Sequence, residues 1–243
     1  VADNVNLQGV YALSSSLAFA VGDCLLGTPA TMLKWDGAGW ASIPSGTPNQ
    51  YSLISVWMAS DIEGWAVGVG LLLGDGIIVK YNGLTWAAET IPAGTPALYA
   101  VQALSSTDVW AVGASGTILH RDAGGWSSVP SGLGAGQHLY SLYMLSPVEG
   151  WAVGIDDAGS PILLYWDGLT WSRVDPIPSP PRAGAGNDDL EDVWMVASQD
   201  GWSVGEDGLI LRFGPISAPV VTTATITLTS TGTTQSVTAT STV

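Results

Sequence analysis

With 243 residues, 47% of them hydrophobic and 11% charged, the chain can bury a sizeable core and does not have the composition of a disordered segment. Six Lys/Arg against 21 Asp/Glu leave a net charge of −15. That excludes nucleic acid as a partner, because displacing its counterions needs a basic surface, and it opposes binding to anionic membranes. The single cysteine, Cys24, excludes an intrachain disulfide, and no stretch is long and apolar enough for membrane insertion.

The chain opens on Val1 rather than Met, so a removed N-terminal signal and an extracellular or cell-surface location are expected. Residues 1–6 read as an N-terminal arm. A repeat then begins, anchored on Ala20-Val21-Gly22, Ala66-Val67-Gly68, Ala111-Val112-Gly113, Ala152-Val153-Gly154 and Ser203-Val204-Gly205, at spacings of 46, 45, 41 and 51 residues. Such a period fits propeller blades or helical solenoids. The local pattern separates them.

Each unit starts with a short alternating segment, such as Val56-Trp-Met-Ala59 or Val193-Trp-Met-Val196. The anchor strand follows, led by Phe19, Trp65, Trp110, Trp151 or Trp202. Small Ala and Gly on that strand are expected to let neighbouring sheets approach closely. A third strand comes next (Met32–Trp35, Ile78–Tyr81, Ile118–Arg121, Leu163–Trp166, Ile210–Phe213). Then Asp36-Gly, Asn82-Gly, Asp122-Ala-Gly and Asp167-Gly turns lead to strands beginning at Trp40, Trp86, Trp126 and Trp171. Asp-Gly and Asn-Gly supply the positive φ of tight hairpins, and no 3.6-residue periodicity is present. The expected fold is all-β: a five-bladed β-propeller of four-stranded blades with a C-terminal Thr-rich β-strand or hairpin extension. The blades are placed at about 7–50, 51–96, 97–138, 139–189 and 190–219.

The fifth unit lacks its Asp-Gly-x-x-Trp strand. Residues 1–6 are too late in register to replace it. Aligning Phe213 with Trp166 puts Ala218–Val221 where that strand belongs, so the chain's own continuation, or a strand from another chain, is expected there. Residues 220–243 carry no charge, and Thr223, Thr225, Thr227 and Thr229 alternate with Ala224, Ile226 and Leu228. After a Ser-Thr-Gly-Thr-Thr turn, Val237, Ala239 and Ser241 alternate with threonines. This period-two pattern predicts strands whose edges need a partner. Val221, Thr223, Ala224, Thr225, Ile226, Thr227, Leu228, Val237 and Ala239 are therefore the expected subunit-contact residues. Packing on the propeller itself or a glycosylated stalk are the alternatives.

Catalytic and metal chemistry is thinly represented. One Cys with His120 and His138 cannot supply a zinc motif. His120 occupies a third-strand slot shared with Lys34, Lys80, Tyr165 and Arg212, and is expected to face solvent; His138 falls in a linker. Glu63, Asp108, Glu149 and Asp200 recur two residues before the anchor tryptophan, with Leu17 there in the first unit. They are expected to accept backbone N–H bonds in turns. Asp188, Asp189, Glu191, Asp192, Asp200, Glu206 and Asp207 crowd the fifth unit. They could hold calcium, although their spacing does not match the twelve-residue calcium-loop motif, or form a solvated rim.

The Asp-Gly-x-x-Trp element resembles the Asp-box of bacterial neuraminidase-type repeats, with one residue fewer between Asp and Trp. Over residues 7–214 the unit is also similar to the repeats of photosystem II stability/assembly factor-type propellers. The first resemblance implies an arginine triad with a Tyr–Glu pair and an acid. Arg121, Arg173, Arg182 and Arg212 do not form such a set at repeat positions, so no catalytic residue, cofactor or metal ligand is assigned and no enzyme is expected. The expected function is that of an extracellular structural subunit, a homo-oligomer or polymer assembling into a surface filament or layer. A secreted glycan-binding, lectin-like propeller is the alternative, since recurrent aromatics can stack on sugars. A glycoside hydrolase ranks below both.

Overall fold

In a computed structural model the repeat unit becomes a four-stranded antiparallel meander. The structure describes residues 5–175, 177, 189–198, 200–214, 222–223, 229–230 and 233–234. The chain divides into two units, Val1–Ala135 and Gly136–Val243. In the first unit, sheet 1 contains β1 (Leu7–Ser14), β2 (Leu17–Cys24), β3 (Ala30–Trp35) and β4 (Trp40–Ser42). Sheet 2 contains β5 (Tyr51–Met58), β6 (Gly64–Gly70), β7 (Gly76–Tyr81) and β8 (Trp86–Ala88). Sheet 3 contains β9 (Leu98–Ser105), β10 (Asp108–Gly113), β11 (Ile118–Asp122) and β12 (Gly125–Ser128).

In the second unit, sheet 4 contains β13 (His138–Ser146), β14 (Glu149–Ile155), β15 (Pro161–Trp166) and β16 (Trp171–Arg173). Sheet 5 contains β17 (Leu190–Ala197), β18 (Asp200–Gly205), β19 (Ile210–Phe213) and β20 (Thr222–Thr223). A separate two-residue ladder joins β21 (Thr229–Ser230) to β22 (Thr233–Thr234). His138, expected in a linker, opens β13. Cys24 ends β2, half-buried beside the Ser52 hydroxyl.

The hairpins between third and fourth strands show why Asp or Asn must open them. Asp36 Oδ1 accepts the N–H groups of Ala38 and Gly39 at 2.9 and 3.0 Å. Asn82 Oδ1 serves Leu84 and Thr85, and Asp167 Oδ1 serves Leu169 and Thr170. The glycines that follow, Gly37, Gly83 and Gly168, have φ of 96°, 90° and 92°, the region a Cβ disfavours. The accepted N–H bonds, from Ala38 and Gly39 in one turn and Thr170 and Leu169 in the other, hold the Asp36 and Asp167 carboxyls below the usual carboxylate range.

The Val-Gly anchor has a different cause from the one its composition suggests. A Cβ on Gly68 would run into the Ser52 carbonyl oxygen, on Gly113 into that of Ala97, on Gly154 into that of His138, and on Gly205 into that of Asp189. The four carbonyls lie at the start of the first strand of the same sheet (Ser52, His138) or one residue before it (Ala97, Asp189), just ahead of a bulge such as Leu53/Ser55 in β5 or Leu190/Asp192 in β17. The bulge brings that carbonyl onto the facing residue, so the glycine is needed within the sheet. Alanine and valine of the anchor serve the contacts between sheets. Ala66 lies in the cluster with sheet 1, whereas Val67 lies in the cluster with sheet 3, as strand alternation requires.

Each of these clusters joins the outgoing face of one sheet to the incoming face of the next. Phe19, Val21 and Met32, on the outgoing face of sheet 1, pack on Leu53, Val56 and Met58, on the incoming face of sheet 2. Trp65, Val67 and Ile78 pack likewise on Leu98, Val101 and Leu119 of sheet 3. In the second unit Trp151, Val153 and Leu163 of sheet 4 pack on Leu190, Val193, Met195, Leu211 and Phe213 of sheet 5.

Sheet 5 is closed by the chain's own continuation, though later than the repeat register requires. In sheet 4, Leu164 pairs with Arg173, nine residues on; in sheet 5, the corresponding Leu211 pairs with Thr223, twelve on. The fourth strand is thus Thr222–Thr223, and the Ala218–Val221 segment expected in that place lies outside the described residues.

Candidate functional site

Two repeated sequence features that looked unrelated meet in space. The acid two residues before the anchor tryptophan reaches the long third-strand side chain, and that side chain lies over the tryptophan. Lys80 Nζ is 2.7 Å from Glu63 Oε1 and 5.0 Å from the Trp65 ring centre. Arg212 is 3.3 Å from Asp200 Oδ1 and 5.5 Å from the Trp202 ring. His120 stacks on Trp110 at 4.1 Å with its Nε2 2.9 Å from Asp108 Oδ1, which also accepts the Trp110 indole N–H at 2.7 Å.

His120 is therefore only partly exposed, correcting its expected solvent-facing placement. The acids grip side chains, correcting the expectation that they accept turn N–H groups. Glu149, whose third-strand partner is Tyr165, instead accepts the Ser198 hydroxyl at 2.7 Å. Where the acid is missing, at Leu17, Lys34 lies 5.7 Å from both the Phe19 and Tyr81 rings. Each cation–π contact of this kind contributes about 0.5–1 kcal/mol at a partly exposed site. These groups are engaged in holding the sheets together.

A second cluster sits between sheets 2 and 3. Glu89 Oε2 accepts the indole N–H of Trp126 at 2.6 Å and of Trp65 at 3.2 Å, and lies 3.4 Å from Arg121 Nε. Glu89, Arg121 and Trp126 line a shallow cavity of about 610 Å³ with Thr90, Ile91 and Pro92. Glu89 carried no motif, yet a signal for it exists. The backbone N–H groups of Ile43, Glu89, Val129 and Val174 make the same bond back to the third strand. A carboxylate thus stands where the other repeats have an aliphatic side chain.

Of the seven acids in the fifth unit, the structure brings three together. Carboxylate oxygens of Asp189, Glu191 and Glu206 lie within 4.8 Å of one another. Asp189 is buried and its Oδ1 has no hydrogen-bond partner. Burial, and then the Asp189 charge, push the Glu191 carboxyl above its usual range. Such a set can share a proton or hold part of a divalent cation's oxygen shell, which takes six to eight ligands. Asp192 is occupied by the Ser141 hydroxyl at 2.7 Å, and Asp200 by Arg212. Asp188 lies outside the described residues.

Among the expected subunit-contact residues, Thr223 is placed in β20 opposite Leu211. Val221, Ala224, Thr225, Ile226, Thr227, Leu228, Val237 and Ala239 lie outside the described residues, as does Arg182. The sequence reading did not anticipate an uncovered sheet face. On sheet 5, Trp202 pairs with Trp194 and with Arg212, so the three share the outgoing face with Val204 and Val196. Trp202 is 40% exposed and Val204 45%, whereas Trp65, Trp110, Trp151 and their valines Val67, Val112 and Val153 are buried.

No protein-family model matches the sequence, and no curated protein matches it. Solved structures do match in fold. Ycf48 from Cyanidioschyzon merolae aligns at a TM-score of 0.60 and 15% identity over 97% of this chain and 71% of that one. U3-55K aligns at 0.67 and 11% identity over 97% and 70%. The WD40 β-propeller domain of Doa1 aligns at 0.60 and 15% over 87% and 66%. With its four-stranded antiparallel sheets, the chain has a β-propeller fold.

Proposed function

We propose that the protein is an extracellular, non-enzymatic structural subunit, a five-bladed β-propeller that assembles with copies of itself into a surface filament or layer. The observation that carries this reading is that the start of the Thr-rich stretch lies on the edge of sheet 5, where Thr222 and Thr223 pair with Arg212 and Leu211. A charge-free stretch of alternating threonine and apolar residues follows. Its Val221, Thr223, Ala224, Thr225, Ile226, Thr227, Leu228, Val237 and Ala239 are suited to pairing with a neighbouring subunit by strand addition. The acid–cation–aromatic contacts support the non-enzymatic part of the reading, since their charged groups are held by one another. Electron microscopy of native material tests the proposal directly, with filaments or sheets expected. Deleting residues 220–243 should leave folded monomers by light scattering; polymerisation of the truncated protein at the normal concentration refutes the role of the tail.

The cavity beside Glu89, Arg121 and Trp126 favours a second reading, glycan binding. A half-buried indole next to a carboxylate is a common way to hold a sugar ring and its hydroxyls. Glycan-array hits abolished by Trp126→Ala are expected if that reading holds, and an array without hits discards it.

A further inference from the structure

In sheets 1 and 5 the bulge of the first strand gathers three polar side chains. They come from the residue before the strand, the bulged residue itself and the residue after the anchor glycine on the second strand. In sheet 1 these are Asn6, Gln8 and Asp23, set by the pairing of Leu7 with Gly22. In sheet 5 they are Asp189, Glu191 and Glu206, set by the pairing of Leu190 with Gly205. The backbone is equivalent in the two places. The Asp23 N–H donates to the Asn6 carbonyl at 2.9 Å, and the Glu206 N–H donates to the Asp189 carbonyl at 3.2 Å. A Cβ on Gly22 or Gly205 would strike that same carbonyl oxygen.

The chemistry differs. In sheet 1 two amides satisfy one carboxylate: Asn6 Nδ2 donates to Asp23 Oδ2 at 3.0 Å, and Gln8 Nε2 donates to Asp23 Oδ1 at 3.1 Å. In sheet 5 acids replace both amides. Three carboxylates then meet with oxygens within 4.8 Å of one another, and when ionised they have no donor among them. Asp189 is only 5% exposed, and its Oδ1 has no hydrogen-bond partner among the described residues. A buried carboxylate without a donor or a counter-charge is costly. The described cations are engaged elsewhere: Lys34 over the Phe19 and Tyr81 rings, Lys80 with Glu63, Arg121 with Glu89, Arg173 with Asp156 and Arg212 with Asp200.

We propose that Asp189, Glu191 and Glu206 bind a hard divalent cation of the calcium type, which supplies the positive charge that two amide donors supply at the same positions of sheet 1. All three ligands are carboxylates, with no His or Cys in the set, so calcium, magnesium or manganese is favoured over zinc or copper. Size selects the larger ion. Oxygens on opposite sides of a calcium ion are about 4.6–5.2 Å apart, against about 4.0–4.2 Å around magnesium. Glu191 and Glu206 are exposed, which gives the ion a route from solvent and leaves room for water ligands. With three protein ligands in a shell of six to eight, the affinity falls among the weaker calcium sites, at a Kd of about 10⁻⁴–10⁻³ M. The bound ion ties the start of β17 to the turn after β18 and so stabilises sheet 5. The site is independent of the assembly reading.

The test is calorimetric titration of the full chain with calcium chloride after EDTA treatment, together with urea unfolding in EDTA and in calcium. Wild type should bind one ion, and at about 10 mM calcium the folding equilibrium of the second unit should rise about 10- to 100-fold. The decisive variant combines Asp189→Asn with Glu191→Gln, which rebuilds the sheet 1 arrangement around Glu206. It should bind calcium at least about 10-fold more weakly, because the site's charge is cut. In EDTA it should resist urea better than wild type, since two amides now donate to one carboxylate. That gain also shows that the variant folds. A charge control, Asp61→Asn with Asp157→Asn, removes two exposed acids elsewhere and should bind as wild type does. Wild type that neither titrates nor gains stability in calcium overturns the site and leaves the three acids to share a proton. Binding that survives the decisive variant, or that falls equally in the charge control, also overturns it, because the ion is then held by the acidity of the whole chain.

Discussion

Trp65 and Trp202 occupy the same repeat position, on the second strand of their sheets, each with a cation over its ring and an acid holding that cation. Trp65 is fully buried against Leu98, Val101 and Leu119 of the next sheet, whereas Trp202 is 40% exposed. The local construction is the same and the packing is not. The difference separates what a repeat builds by itself, a twisted four-stranded sheet with an aromatic–cation clamp, from what it obtains only from a following sheet.

The sharpest way to break this comparison is to truncate both rings. Trp65→Ala is expected to destabilise by about 3–5 kcal/mol, as a fully buried aromatic does, while Trp202→Ala stays within about 1 kcal/mol. Urea unfolding of the dilute protein measures both. Equal losses would mean that the Trp202 face is covered in solution by the chain itself. Glu89 comes next, because it is what sheet 2 adds to the shared scheme. Glu89→Leu leaves the Trp65 and Trp126 indole N–H groups without their acceptor, at about 1–3 kcal/mol for each buried donor. Glu89→Gln keeps an acceptor and should lose less than half as much.

The anchor glycines should then erase the contrast. Gly68→Ala and Gly205→Ala both drive a methyl into a carbonyl at the start of the first strand of their own sheet, that of Ser52 or of Asp189 just before it. Each is expected to cost about 1–3 kcal/mol, the usual penalty for overpacking, whether or not the outgoing face is covered. A loss at Gly68 with none at Gly205 would return the glycine to a role between sheets.

The smallest effects are in pH. The Asp36 carboxyl, lowered by the N–H bonds of Ala38 and Gly39, stabilises the fold at pH values above the ordinary carboxylate pKa. That contribution is lost as pH falls through the lowered value, where the folded state must take up the proton. Asp36→Asn should flatten this acid limb and keep the turn, as Asn82 does in sheet 2. Glu191 has the opposite sign. Its carboxyl is raised by burial and by Asp189, so the folded state holds the proton more tightly than the unfolded chain. Its contribution is present in acid and lost as pH rises through the raised value. Glu191→Gln should therefore stabilise the second unit at neutral pH, measured by thermal melts at a series of pH values.

Much of the fold was legible because its causes are local. Positive φ at Asp-Gly and Asn-Gly, β-branched alternation and a recurring Val-Gly place the four strands of the first four units and the first three of the fifth within the chain. The acid–cation–aromatic clamps were legible as two separate repeats and not as one object. Their members are about 15 residues apart in sequence (Glu63 and Lys80, Asp200 and Arg212), and antiparallel pairing of second and third strands is what brings them together. Glu89 was visible as a charge in an aliphatic slot, but the two indoles that need it come from Trp65 in one sheet and Trp126 in another.

By itself the sequence determined the repeat, the four-stranded sheet, the turn chemistry and the acidic net charge, because each depends on neighbours a few residues away or on composition. Tertiary structure decided three other matters. It turned the Glu63, Asp108 and Asp200 carboxylates from turn acceptors into clamps. It moved the fourth strand of sheet 5 to Thr222–Thr223. It also left Trp202 and Val204 open where Trp65 and Val67 are closed. That last difference cannot be read from residue type, since the two pairs are chemically alike; burial belongs to whichever surface comes next, and a strand does not encode its neighbour's position.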